Sequence, residues 1–533
     1  MNRRTLALSA VAGLLAPVIT ACGGQDGGSA GATIVVGTTD RFTATKEAPA
    51  PLDPAYTYDT NSWNLLRQTV QTLMIEPKGE GSPVPEAAER CGFTDHGDER
   101  YACTLRKDLQ FSDGEKITSR VVKDSIERSL HIDADTGVAA LLNTIDTIET
   151  PSDREIVFHL KTADATFPFK LTTPVAGIVS AKHYDPDKLR DGFAVDGSGP
   201  YTFRAAVKGD TVTEVTYTKN PTYKGSLTVN NDQVVVRVYD DTNAMGAAID
   251  KGDIDVMIRT MSPAQIEKLD AGTDAKVDLV EMPGLEIRYL GFDTDAPVIR
   301  TKAVRQAMAQ LVDREALVAK VYGTQAEPLY SLVPATLAGH SNSFFNKYGD
   351  PDVARAKDLL AKAGVATPVK LTLHYTTDHY GSATKEEFEI LSEQLRASGL
   401  FDVTIQGTPW STFSSAERKG AYGVYGMGWF PDFPDADNFV APFLDKDNFL
   451  NSPYSNKDIQ RTLIPETRRQ PDRMQAAGTL ARIQDTVAED VPVLPLWQGK
   501  QYVAARDDVT GVAYAINSSS VLQLWELGRG LSG

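Results

Sequence analysis

An α/β fold built on open sheets and divided into two or three packed lobes is predicted by three features of this sequence. Short β-branched or apolar runs, such as residues 33–38, 234–238 and 371–375, alternate with segments whose apolar residues recur at helical spacing. The chain has 533 residues, 41% hydrophobic and 23% charged, an ordinary globular composition with length for more than one core. Beyond a strand at residues 289–293 helices dominate, so a new region opens there.

Residues 33–38 read as a buried strand, and Leu52-Asp53-Pro54-Ala55 as the turn ending that segment. A helix is expected from about Ser62, with Leu65, Leu66, Thr69 and Leu73 toward one side. Farther on, a turn centred near Gly97 would set Cys91 opposite Cys103 and Phe93 opposite Tyr101, which predicts a cross-strand disulfide. One cysteine pair with only His96 nearby offers too few ligands for zinc. Residues 105–115 pass from strand to an Asp113-Gly114 turn, and Val122, Ile126 and Leu130 follow at helical spacing behind Thr118 or Ser119 as cap. Strands are expected at residues 156–160, after Gly199-Pro200, and at 234–238; residues 220–225 form a loop, and a helix ends near Gly252.

In the second region Val304, Met308 and Leu311 line one helix face, and Asp313 caps the next helix, which carries Leu317, Val318 and Val321. Asp350-Pro351 starts a helix with Leu359 and Leu360 inside and Gly364 as its stop. A strand at residues 371–375 precedes a helix marked by Phe388, Leu391 and Leu395 that stops at Gly399. Residues 403–405 lead to Trp410, and a last long helix carries Met474, Ala477, Leu480, Ile483 and Val487.

The formal charge is −17, and removing a leader that carries Arg3 and Arg4 leaves the chain two units more negative. Such a balance argues against nucleic acid and anionic lipid as partners. Asn2-Arg3-Arg4 supplies a positive start, residues 6–15 a short apolar run, and Ile19-Thr20-Ala21-Cys22 small residues ahead of a cysteine. The pattern resembles a bacterial lipoprotein signal. That implies removal of residues 1–21, acylation of Cys22 of the palmitate type, and a flexible Gly-rich tether over residues 22–32. Arg3-Arg4 leaves general and twin-arginine export both open. No later stretch is apolar and long enough to span a bilayer, so the expected location is the extracytoplasmic face of the cell membrane, held by lipid alone. With Cys22 acylated, Cys91 and Cys103 remain to pair outside the cytoplasm.

The stretch around which the rest is organised is residues 426–439, Gly426-Met427-Gly428-Trp429-Phe430-Pro431-Asp432-Phe433-Pro434-Asp435-Ala436-Asp437-Asn438-Phe439. Gly and Pro break regular structure, the rings offer flat apolar walls, and no Lys or Arg within it neutralises Asp432, Asp435 or Asp437. It reads as a mouth and not a core. A carboxylate between aromatic rings is costly to desolvate unless a cation arrives, so the site suits a ligand with an ammonium group.

Taken together, Leu52-Asp53-Pro54-Ala55, Leu105-Arg106-Lys107 with Phe111-Ser112-Asp113-Gly114, Gly199-Pro200-Tyr201, Gly252-Asp253-Ile254-Asp255, Val304-Arg305-Gln306-Ala307 with Asp313-Arg314-Glu315-Ala316, and Gly428-Trp429 through Asn438 resemble family 5 of the extracytoplasmic solute-binding proteins, the substrate-binding lipoproteins of peptide and nickel importers of the ATP-binding-cassette (ABC) type. The resemblance implies the two-lobed periplasmic-binding-protein fold (type II-like, cluster C) with a domain inserted in the first lobe. Mapped here, lobe I is 33–55, 195–285 and 503–533, the insertion 56–194 and lobe II 286–502. A monomer that captures a peptide in a hinge-closing cleft and passes it to an ABC permease is implied, without a cofactor.

The same resemblance makes Asp432 the partner of the peptide's α-ammonium, with Trp429, Phe430, Trp410 and Gly428 around it. Dipeptide-binding members place an Arg ahead of the helix carrying Phe388; here that place falls near His379, and no Arg lies between Thr372 and Ser392. The basic residues of longer-peptide binders are replaced by Glu417 and Gly426. A longer or blocked peptide, or another amine, therefore fits better than a free dipeptide. The alternatives are a carrier of a metal chelate such as nickel, for which His374 and His379 would be ligands, and a peptide-signal receptor. An enzyme is not expected, because no Gly-x-Ser-x-Gly, His-Glu-x-x-His or phosphate-loop pattern occurs.

Overall fold

In the computed structural model, which describes residues 33–79, 81–258, 261–272, 276–446 and 448–530, Ile34–Thr38 is the central strand of a seven-stranded sheet. The leader, Cys22 and the tether lie outside the described residues. Strand order across this sheet is Val277–Met282, Gln501–Arg506, Val256–Ile258, Ile34–Thr38, Gln233–Val238, Thr211–Lys219 and Tyr201–Lys208. Ile34–Thr38 runs parallel to both its neighbours. A parallel strand covered on both faces has no polar side, which is why it reads as an unbroken β-branched run.

A six-stranded sheet is ordered Ala326–Pro328, Val493–Gly499, Ile287–Phe292, Val424–Trp429, Val369–Thr376 and Phe401–Thr408. Ile287–Phe292 lies antiparallel to both neighbours, and every residue in it is buried. The third large sheet is antiparallel: Ala88–Phe93, Arg100–Leu105, Glu155–Leu160 and Ile145–Ser152. In it Cys91 stands opposite Cys103 and Phe93 opposite Tyr101, and Cys91 and Cys103 form a disulfide. This sheet shares one apolar core with the seven-stranded sheet, in which Tyr101, Phe158 and Phe167 join Ile34 and Val36. A separate core around the six-stranded sheet gathers Tyr289, Phe292, Met308, Leu391 and Val424. The chain thus forms two bodies, each with its own core.

Two short passages join the bodies, between Met282 and Glu286 and between Gly499 and Gln501. The Gly499 amide donates to the Glu286 carbonyl at 2.9 Å, and Gln498 Nε2 donates to the Gly284 carbonyl at 2.8 Å. A Cβ on Gly284 would meet the Gly499 carbonyl oxygen at 2.4 Å, so glycine is what lets the passages touch.

Several segments quoted above prove to be internal fasteners. Asp53 is fully buried and receives a two-pronged bond from Arg128 at 2.8 and 2.7 Å, plus the Ala55 and Arg190 amides. Arg305 donates to the carbonyls of Ile299, Asp490 and Val491, and Arg314 Nε to that of Pro495 at 2.7 Å.

Helix signals hold where a cap or stop is local. The Thr118 side chain accepts from the Val121 amide to cap Ser119–Ile132, Asp313 caps Arg314–Val321, and Gly252 is left-handed at φ 80°. The first helix is shorter than expected. It is Thr60–Leu66, capped by Asp59, because the carbonyls of Gln68 and Thr69 are taken by the Tyr201 and Gly199 amides at 3.1 and 2.8 Å. Thr69 and Leu73 are buried beyond its end. The helix expected from Asp350 is Val353–Lys362, capped by Asp352. The last long helix is Ala477–Asp490, preceded by a single turn that leaves Met474 67% exposed.

Candidate functional site

Between the two bodies lies a cavity of about 1030 Å³, lined by Tyr58, Asn64, Arg67 and Met261 from one body and by Arg288, His379, Tyr380, Trp410, Trp429, Phe430 and Asp432 from the other. That volume is at the upper end of small-ligand sites.

Asp432 follows the strand Val424–Trp429, where Pro431 stops the ladder. The Asn438 side chain folds the chain back on itself. Its Oδ1 accepts from the Asp432 amide at 2.8 Å and from Trp429 Nε1 at 3.3 Å, while its Nδ2 donates to Asp432 Oδ2 at 2.9 Å. From the opposite body Tyr58 donates its hydroxyl to the same oxygen at 3.1 Å, and its ring packs edge-on against Phe449 at 5.0 Å. Asp432 is 7% exposed, and no ion pair among the described residues involves it. Burial pushes its carboxyl up to about 6, against the opposing pull of Asn438, Tyr58 and the more distant Arg67. Arg67 is itself engaged, donating to the Thr172 carbonyl at 3.0 Å with Glu76 at 3.9 Å.

The other two acids of the stretch differ. Arg473 donates to Asp435 at 2.7 and 3.0 Å, and Arg468 to Asp437 at 2.9 and 3.2 Å. Both acids are buried, as are Phe433 and Phe439. The expected mouth is therefore only its first part, Gly428 to Asp432; the remainder is core, because two arginines from beyond the stretch remove the charge that would have kept it in water.

The other expected residues are brought to the same cavity. Trp429 is buried and packs edge-on against Phe443 at 5.8 Å. Phe430 is half-buried, 5.5 Å from the Arg288 guanidinium carbon. Trp410 stacks on His379 with ring centroids 3.9 Å apart and planes 4° from parallel. His379 as a residue keeps an exposed edge, yet burial of its ring, with Arg288 beside it, holds its pKa low. It contributes a flat neutral surface and not a cation. His374 is not brought to His379: it stacks on Tyr422 at 4.2 Å. Among the described residues no cluster of three or more His, Cys, Asp or Glu is placed to hold a metal.

Two cavity residues escaped the sequence reading. Glu417 is buried, and its carboxyl is pushed up to about 7, chiefly by burial, with the Tyr425 hydroxyl opposing. Arg288 occupies the middle of an otherwise apolar, fully buried strand, an anomaly that could have been noticed in Ile287-Arg288-Tyr289-Leu290. Its Nη2 lies 2.5 Å from Glu286 Oε1, and the guanidinium carbon sits 4.1 Å from the Tyr380 ring centroid and 5.2 Å from that of Trp497. Gly428 serves this packing, for a Cβ there would fall 1.9 Å from Arg288 Nη1.

Comparisons with known proteins agree with this geometry. The family model described as "Bacterial extracellular solute-binding proteins, family 5 Middle" matches residues 82–451. The probable D,D-dipeptide-binding periplasmic protein DdpA of Escherichia coli (strain K12) is 24% identical over 481 residues, 87% of this chain and 90% of that protein. Heme-binding protein A of Haemophilus influenzae is 25% identical over 485 residues, 85% and 86% of the two chains. Among solved structures, a dipeptide-binding protein from Pseudoalteromonas sp. SM9913 in complex with Met-Leu superposes with a TM-score of 0.79 at 20% identity, covering 94% of this chain and 100% of that one. The two-lobed, mixed α/β fold of periplasmic binding proteins is thereby established for this chain. No helix among the described residues is long and apolar enough to cross a membrane.

Proposed function

We propose that this chain, which belongs to the bacterial extracellular solute-binding proteins of family 5, captures an amine-bearing peptide between its lobes and delivers it to the permease of an ABC importer. The observation that carries this reading is Asp432, a buried carboxylate without a basic partner in a cavity walled by Trp429, Phe430 and Trp410. A ligand ammonium is the group that would compensate its lost hydration, and the attraction strengthens as water leaves. Because Tyr58 reaches Asp432 from the other body, an occupant held there touches both lobes, and it would favour the closed arrangement. The passages at Gly284 and Gly499 are where such a motion would turn.

The role is binding and delivery, without chemistry on the ligand. Acylation at Cys22 would keep the receptor at the extracytoplasmic face of the membrane, within reach of the permease. Relatives named for dipeptide ligands support the peptide class. Native mass spectrometry of the purified protein tests the reading. A co-purified peptide with a free amine is expected, and equal affinity for free and N-acetylated peptides refutes it. A relative named for heme favours a metal-chelate cargo as the second reading; metal found by elemental analysis of protein purified without chelators would select it.

A further inference from the structure

On the peptide reading the amine end of the ligand has a partner, and the oxygen end has none assigned. We propose that Arg288 is that partner, and that its Nη1 donates to an sp² oxygen of the bound peptide, either the terminal carboxylate or a backbone carbonyl. The inference rests on the peptide reading and adds to it a specificity-determining residue.

Four observations carry it. Arg288 is in the cavity wall, on a strand hydrogen-bonded on both sides, so its Cα is held rigidly. It pairs across the sheet with Gly428, four positions before Asp432, which puts the cation and the lone carboxylate on one wall of one cavity. A zwitterionic chain lying along that wall meets a group of the opposite sign at each end. The guanidinium is held in place from behind, with Nη2 on Glu286 at 2.5 Å and rings of Tyr380, Phe430 and Trp497 at 4.1, 5.5 and 5.2 Å. Finally, Nη1 is buried without a hydrogen-bond partner, and the residue is 7% exposed. An unsatisfied donor on a buried cation is costly, and an oxygen acceptor relieves that cost.

Tyr380 covers the guanidinium and is itself a cavity residue, held to the Gly428 carbonyl by one long hydroxyl bond of 3.4 Å. Its displacement by the entering ligand bares Nη1. The place where dipeptide-binding relatives were expected to show an Arg carries His379, which is kept neutral by burial and by Arg288 itself. The cation is thus supplied from a different strand, and Gly428, by lacking a side chain, leaves it room.

The test uses the mature protein, refolded to remove bound material, and pools of random tripeptides and tetrapeptides with free N-termini. One pool has free C-terminal carboxylates and the other is amidated; retained peptide is quantified by mass spectrometry. Arg288→Gln and Arg288→Lys are expected to retain at least tenfold less of the free-acid pool than wild type, because neither offers the planar fork. If the amidated pool is also lost from wild type, the oxygen is the terminal carboxylate; if wild type keeps it and the variants lose it, the oxygen is a backbone carbonyl. Either result supports the proposal. Variants that fold by circular dichroism and retain both pools as wild type does overturn it while leaving the peptide reading intact. Failure of both variants to fold also overturns it, making Arg288 a scaffold residue. Wild type that retains neither pool refutes the peptide reading, and the inference falls with it.

Discussion

Replacing Asp432 with Asn is expected to move stability and ligand affinity in opposite directions. Burial raises the Asp432 carboxyl from 3.8 to about 6. A rise of about two units corresponds to roughly 3 kcal/mol of disfavoured ionisation. In this case the folded state binds the proton more tightly than the unfolded one. Stability therefore falls as pH rises from about 4 to about 6, and the full penalty is present above that window. Asn keeps the shape and can still accept from Asn438 Nδ2, but it cannot ionise. The empty variant should gain about 2–3 kcal/mol at pH 7.5 and nothing near pH 4. For a chain of this size that is about 2–3 °C in melting temperature. Peptide affinity should meanwhile fall by about 2–5 kcal/mol, since a buried ammonium loses its counter-charge. Calorimetric melting of ligand-stripped protein at both pH values, with titration calorimetry against free and N-acetylated peptides, measures both effects. An empty variant no more stable than wild type at pH 7.5 would refute the claim that this carboxylate is desolvated.

The same titration predicts that affinity for an amine-bearing peptide drops about tenfold per pH unit below 6 in wild type and stays flat in Asp432→Asn; binding measured from pH 4.5 to 7.5 checks it. Asp164 is fully buried, yet Lys170 at 2.6 Å, with Arg468 and Thr166, overcomes burial and holds its carboxyl down at about 2. Asp164→Asn should destabilise by about 3–5 kcal/mol, because Lys170 is left buried without its counter-charge. The wild-type contribution is present above about pH 4 and lost as pH falls through 2, so urea unfolding at pH 7 should show the full gap between the two proteins. Reduction of the Cys91–Cys103 bond, or Ser at both positions, should cost about 2–3 kcal/mol for so short a loop, measured by denaturant unfolding with and without reductant.

Legibility followed the range of the interaction that decides each feature. The hairpin register that faces Cys91 with Cys103 depends on alternation and one turn, all within 13 residues, and it was readable. So were the Thr118 and Asp313 caps and the left-handed Gly252 and Gly399, whose partners lie within a helical turn. The first helix was overextended because amides from Gly199 and Tyr201, more than a hundred residues away, claim the carbonyls it would have used. Asp432 and its aromatic walls could be singled out, since residue type and a broken strand sufficed to mark them. That Asp435 and Asp437 belong to the core could not, because their partners Arg473 and Arg468 stand 38 and 31 positions farther on.

What the chain determined by itself was therefore the sheet-and-helix order, the hairpin and the place of one acid among rings, because hydrophobic period and backbone chemistry are local properties. Only the tertiary structure decided which acid stays without a basic partner, that Tyr58 meets it from 374 residues away, and that Arg288 rather than His379 supplies the cavity's cation. The state of a charge depends on how much water it loses and which opposite charge comes within a few ångströms, and both are set by packing between distant segments.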